Sequence, residues 1–184
     1  MALHFSKEEF HKRKLNTLRC MKEKNLDALL MFRQESMYWL TGYDTFGYVF
    51  FQTLILDQKG NVILLTRAPD LRQAQNTSNI EDIRIWVDKD GVNPTDDLKI
   101  ILDELNLKGK KIGVEYEAYG MTGRNALKLN KSLDGYCNVE DQSELITKLR
   151  VIKSNEEIIY VKKAAELADS ALDEAWKYTK AGAC

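Results

Sequence analysis

Apolar and polar residues along this chain fall into short blocks whose period changes repeatedly, and each change marks an element. Ser6 followed by Glu9 reads as a capping box, each side chain meeting a backbone N–H at a helix start, and Leu15, Leu18 and Met21 supply an apolar stripe as far as about Lys24. Leu26 to Phe32 is an apolar run bracketed by polar residues and too short for a helix, which predicts a strand buried on both faces. Ser36 to Gly42 reads as a turn of helix closed by its glycine. Two β-rich runs, Val49–Leu56 and Val62–Leu65, flank Asp57-Gln58-Lys59-Gly60 and predict a hairpin. Pro69 suits the first position of a helix through about Asn76. Ile83, Ile85 and Val87 alternate with Arg84 and Trp86 as in a half-buried strand, and Asp88 to Pro94 is a loop.

Leu98, Ile101, Leu102 and Leu105 recur at helical spacing, the strongest such pattern in the chain. Lys111 to Tyr116 supplies the next strand, Thr122 to Leu133 a further helix, and Tyr136 to Val139 a short strand. Strands alternate with helices apart from one hairpin, so the expected fold is α/β: a three-layer sandwich around a mixed sheet. Beyond it, Asp141 with Glu144 reads as a second capping box, opening a short helix with Leu145, Leu149 and Ile152 on its stripe. Ser154 with Glu157 reads as a third, opening a long carboxy-terminal helix with Ile158, Val161, Ala165, Ala168, Leu172 and Ala175 along one face. Each leucine or isoleucine left in water there forgoes about 1.5–3 kcal/mol. Such a stripe calls for a cover, and the chain is expected to stop as a further domain begins, with one domain over residues 1–141 and the start of another over 142–184.

Composition narrows the function classes. The 184 residues, 44% hydrophobic and 30% charged with only two prolines, suit one packed domain and the edge of a second. A net charge of −1, with cations scattered among acids, gives no footprint for nucleic acid or an anionic membrane. The absence of a long apolar run or an apolar leader leads to the expectation of a cytoplasmic protein. Cys20, Cys137 and Cys184 lack any CxxC spacing and read as buried, reduced thiols.

Chemistry-bearing patterns are few. His4 and His11 lie too far apart to form a ligand pair on one helical turn and read as surface histidines. No GxSxG, HExxH, P-loop or GxGxxG pattern is present. Glu115 and Glu117 close a predicted strand on a shared face, and the usual exposure of acids assigns them to the surface. Among the aromatics of residues 38–51, Phe50 or Phe51 belongs to the core. The connection Tyr43 to Tyr48, with Gly42 and Gly47, is the recognition candidate: Tyr43, Asp44 and Tyr48 are the expected substrate-binding residues.

Tyr38-Trp39-Leu40-Thr41-Gly42-Tyr43, preceded by the strand Leu26 to Leu30, resembles the Tyr-Leu-Thr-Gly-Phe/Tyr turn of the creatinase/prolidase, or pita-bread, metallohydrolase family. Leu149-Arg150-Val151-Ile152-Lys153-Ser154-Asn155-Glu156-Glu157-Ile158 resembles that family's interdomain junction, and Ala164 to Ala171 the opening of its first catalytic-domain helix. The resemblance implies an amino-terminal, substrate-shaping and dimerisation domain of a metal-dependent hydrolase, most often an Xaa-Pro dipeptidase or aminopeptidase. A creatinase- or ectoine-hydrolase-type enzyme, and a non-catalytic peptide- or protein-binding module, are the alternatives. The family's five metal ligands would all lie past Cys184. The resemblance therefore implies no catalytic residue, metal ligand or cofactor in this chain, and a pair of divalent ions (manganese, cobalt or zinc) in the full-length parent. The implied partners are the parent's own catalytic domain, a second copy in a homodimer, and a peptide or small amide substrate.

Overall fold

In the computed structural model, residues Leu3 to Gly182 are described; Cys184 lies outside them. The chain forms two compact units, one ending at Leu149 and one beginning at Arg150.

The first unit is built on a six-stranded sheet in the order β4-β3-β2-β1-β5-β6. Its strands are β1 (Ala28–Met31), β2 (Thr53–Asp57), β3 (Val62–Arg67), β4 (Asp82–Trp86), β5 (Lys111–Val114) and β6 (Asn138–Asp141). β1, β5 and β6 run parallel, β2 runs against both β1 and β3, and β3 runs parallel to β4, so β2 alone is reversed. Every β1 side chain is buried, because both faces of the sheet are covered. Ala28 and Leu30 join Ile55, Ile63, Leu65, Ile112 and Val114 in one core, with Leu98, Ile101 and Leu102 of α4 (Pro94–Glu104) and Leu129 and Leu133 of α5 (Gly123–Leu133). Leu29 and Met31 join Leu54, Leu56 and Leu64 on the other side. There they meet Met21 of α1 (Lys7–Glu23), Met37 and Leu40 of α2 (Gln34–Thr41), Ala74 of α3 (Leu71–Thr77) and Leu145 of α6 (Glu144–Val151). The result is the three-layer α/β sandwich that the sequence leads one to expect.

Several local expectations are corrected. α1 buries Phe10, Arg13, Thr17 and Met21, whereas Leu15 faces water. Arg13 can line a core because Glu9 neutralises it, Trp39 O accepts its Nη1 at 2.8 Å, and the rings of Phe5, Phe10 and Trp39 pack on its guanidinium. The hairpin strand begins only at Thr53, since residues 47–49 wind into a 3-10 turn. Pro69 likewise sits in a 3-10 turn, with α3 starting at Leu71. In β4, Trp86 points into the core, where its indole N–H donates to Phe51 O, and Ile85 is exposed on the opposite face of this edge strand. β6 starts at Asn138 rather than Tyr136. The Asp141–Glu144 capping box does not form: Asp141 Oδ1 accepts from the N–H and hydroxyl of Ser143, and so takes its bonds one residue earlier.

In the second unit, Ser154 and Glu157 complete the expected capping box of α7 (Asn155–Tyr178). No residue of α7 is buried, Ile158, Val161 and Leu172 included. A helix with no buried residue draws little support from packing and is marginal in water. Hydrogen exchange should therefore show α7 amides opening far more readily than those of β1 whenever light scattering reports a monomer. A protected α7 in a strict monomer is the contrary result.

Candidate functional site

The carboxyl ends of β1, β3, β4 and β5 lie along one edge of the sheet, and the reversed β2 begins at that edge, with Leu54 opposite Met31. The chain lays β2, β3 and β4 to one side of β1 and β5 and β6 to the other, so the order reverses between β1 and β5. Doubly wound sheets open a ligand crevice at such a point.

Here the crevice is filled from within. Glu115, the first residue past β5, is 0% exposed, contrary to the surface position expected of it. Its Oε2 accepts from the backbone N–H groups of Phe32 and Arg33, both at 3.1 Å, and its Oε1 from the Ser36 hydroxyl at 2.6 Å. Those donors form the head of α2, where unpaired amides and the helix dipole favour an anion. Burial pushes the Glu115 carboxyl up to about 7, against the opposing pull of Ser36, Arg33 and Phe32. Glu117 does not share its face: it lies beyond the strand, exposed, with its carboxylate 2.8 Å from Arg33 Nη2. Arg33 also donates to Glu117 O and to Thr147 Oγ1 of α6, so one guanidinium fastens three segments.

The recognition loop leaves the other end of α2. Gly42 closes the helix at φ 81°, a left-handed conformation suited to glycine, and donates to Tyr38 O. Tyr43 is 0% exposed, and its hydroxyl donates to Gln52 Oε1 at 3.1 Å. Burial raises its phenol above the ordinary value, so it stays protonated as a donor. Asp44 is exposed, with its backbone N–H and C=O both tied to the Thr77 hydroxyl. Phe46 is 86% exposed, while Tyr48 is half-buried. Of the three expected residues, Asp44 and Tyr48 thus face outward, and Tyr43 anchors the loop from beneath.

Both flanks of the loop are clamped. A Cβ on Gly47 would lie 2.6 Å from Asp70 Oδ2, and Asp70 is itself held by Arg67 Nε at 3.1 Å. The Arg67 guanidinium lies 3.4 Å from the centre of the Phe50 ring. On the far flank a Cβ on Gly120 would lie 2.3 Å from Phe50 O and 2.8 Å from Tyr48 O. Next to it Tyr119, 78% exposed, meets Tyr48 edge-on with centroids 5.7 Å apart. Sequence reading missed Arg67, Asp70, Tyr119 and Gly120. The one signal for the last two was a Tyr-Gly pair just past a strand end.

Metal chemistry finds no seat here. Among the described residues no group of three or more His, Cys, Asp or Glu side chains is placed to hold an ion. Three acids of this edge are committed to other partners, Glu115 to amides, Glu117 to Arg33 and Asp70 to Arg67, and Asp44 stands exposed without two further ligands beside it. The residues present do not fit the metal pair that the resemblance implies for the parent.

A three-layer sandwich around a mixed sheet with a single reversed strand, and a clamped aromatic loop at its carboxyl edge, defines an α/β domain of one class. Residues 13–152 match the Creatinase/Prolidase N-terminal domain, and the chain belongs to that family. It is 28% identical over 180 residues to an uncharacterised hydrolase/peptidase, y4tM, of Sinorhizobium fredii, covering 94% of this chain and 46% of that protein. It is 25% identical over 174 residues to the ectoine hydrolase of Halomonas elongata, covering 91% of this chain and 43% of that one. The chain thus spans less than half the length of these relatives. Among solved structures, a prolidase from Thermococcus sibiricus superposes with a TM-score of 0.77 at 23% identity, over 92% of this chain and 44% of the other, a likeness of fold.

Gly120 tests the clamp. Gly120→Ala should destabilise the chain by about 1–3 kcal/mol in urea unfolding, because its Cβ meets backbone rather than a movable side chain. Gly123→Ala, whose Cβ meets nothing within 4 Å, should change stability by less than about 1 kcal/mol. Equal effects would place no clamp at Gly120.

Proposed function

We propose that this chain is the substrate-shaping amino-terminal domain of a metal-dependent hydrolase acting on Xaa-Pro peptides. In this reading residues 1–141 are the shaping domain, and residues 142–184 are the junction and first helix of the catalytic domain. The parent works as a homodimer and holds its divalent metals in the catalytic domain.

The observation that carries the reading is the loop of residues 43–50. It presents a carboxylate and aromatic faces on a backbone fixed from both sides, and a preorganised surface loses little entropy when a ligand arrives. Asp44 would pair with a substrate amine, and Tyr48 would wall an apolar pocket, while Tyr43 holds the turn from below. Membership of the family supports placing this surface next to a catalytic domain. The ectoine hydrolase relative supports a second reading, in which the same loop shapes a pocket for ectoine.

In the full-length parent, Asp44→Ala and Tyr48→Ala should each raise KM about tenfold or more for an Xaa-Pro dipeptide, with metal content and Tm near wild type. Unchanged kinetics in both variants would sink the recognition role, and Tm falling in step with activity would make the residues structural. The purified chain alone, with manganese, cobalt or zinc added, should hydrolyse no Xaa-Pro dipeptide above a mock preparation. The same dipeptides assayed beside ectoine on the parent separate the two readings.

A further inference from the structure

We infer that Glu115 is a proton-operated positioning residue: its side chain is the chain's own occupant of the anion seat at the head of α2, and gain or loss of one proton there sets how firmly α2, and with it the 43–48 loop, is held. The part concerning the loop's use in recognition rests on the proposed function; the proton linkage does not.

The seat has the parts of a ligand site. It lies at the strand-order reversal between β1 and β5, offers two backbone amides and a hydroxyl, and is closed to water, yet what fills it comes from 79 to 83 residues away along the same chain. The carboxyl can keep its three contacts in either protonation state. As a carboxylate, Glu115 accepts all three bonds. As an acid, Oε2 still accepts from Phe32 and Arg33, and the Oε1 proton is donated to the Ser36 oxygen, with the serine's own proton turned away from Glu115. The two forms therefore differ in buried charge more than in geometry.

The surrounding charges do not cancel that difference. Arg33 is the charged neighbour that acts on Glu115, but its guanidinium is turned to Glu117 and Thr147. After β5, Tyr116 gives its backbone N–H to Ser143 and its hydroxyl to Asn130; at the end of β6, Asp141 is bonded to Ser143. α2 itself contributes Ser36 to the seat. A proton is thus left as the main means of neutralising the buried group, in keeping with a carboxyl pushed up to about 7.

The sign follows from linkage. With the seat closed the carboxyl holds its proton up to about 7, and with the seat open it reverts to about 4.5. The closed state is favoured below 4.5, loses ground as pH rises from 4.5 to about 7, and levels off above that. Opening should become easier by up to about tenfold per pH unit across that window. α2 has only eight residues, and Gly42 and the buried Tyr43 follow it directly, so loosening its head is felt in the loop.

Hydrogen exchange by NMR on this chain, corrected for intrinsic rates, reads the linkage without any substrate. The amides of Phe32, Arg33 and residues 42–48 should lose protection as pH rises between 4.5 and 7, while those of β3 do so much less. Glu115→Gln keeps one oxygen for the amides and an NH2 group for Ser36, and should abolish the pH dependence while preserving the fold. If that variant fails to fold, the ¹³C shift of the wild-type Glu115 carboxyl decides, with a midpoint within one unit of 7 expected. A midpoint below 5, a flat profile in the wild type, or a profile that persists in Glu115→Gln would overturn the inference. Loss of the recognition role through the Asp44 and Tyr48 kinetics would leave these results untouched.

Discussion

A carboxylate shut away from water must find all its hydrogen bonds inside the protein, and the carboxyl edge of this sheet is organised around meeting that demand for Glu115. Its partners fix where β1 hands over to α2, because Phe32 and Arg33 can both reach one oxygen only if the chain turns sharply after Met31. Ser36, one turn along, fixes the azimuth of the helix. Arg33, held in place by its backbone bond to Glu115, carries the constraint outward to the segment after β5 and to α6 through its side chain. An unsatisfied buried polar group costs about 1–3 kcal/mol, more for a charge, so misplacement of any of these segments is penalised directly.

The loop of residues 43–50 owes its shape to a different economy, the omission of side chains. Gly47 lets the chain lie on the Asp70 carboxylate and Gly120 lets a second loop lie on the carbonyls of Tyr48 and Phe50. Neither contact could form with a methyl group present. The aromatic rings that remain outside are therefore borne on backbone that cannot retreat, and the Phe50 ring is backed by the Arg67 guanidinium. Rigid placement of exposed rings is what separates a recognition surface from a loop that merely happens to be apolar.

Legibility from sequence followed the range of the forces involved. α4 could be read from Leu98, Ile101 and Leu102 because these apolar residues of its buried face recur at helical spacing. The face of α1 could not, since it includes Arg13 and Thr17, and burial of Arg13 depends on Trp39, 26 residues away. β4 misled in the same way: Ile83 and Ile85 look like the inward set, yet an edge strand with Trp86 bonded to Phe51 buries the tryptophan instead. At the candidate site, Asp44 and Tyr48 were visible as loop residues beside glycines. Tyr119, Arg67 and Asp70 were not, because their proximity to the loop is created by the sheet. Glu115 was seen and assigned to the surface, the correct default for an acid whose partners lie 79 to 83 positions upstream.

These two features bear on one another through α2. A domain whose switch-point crevice stood open would offer a small-molecule site between β1 and β5, as doubly wound folds commonly do. Glu115 closes that site from within, and what the same edge presents to solvent includes Asp44, Phe46 and Tyr119, with Tyr48 half-buried beside them. The seat is filled by Glu115 itself, which ties down one end of the eight-residue helix whose other end leads into the loop. Glu115 thus bears on the placement of exposed loop residues without itself reaching the surface.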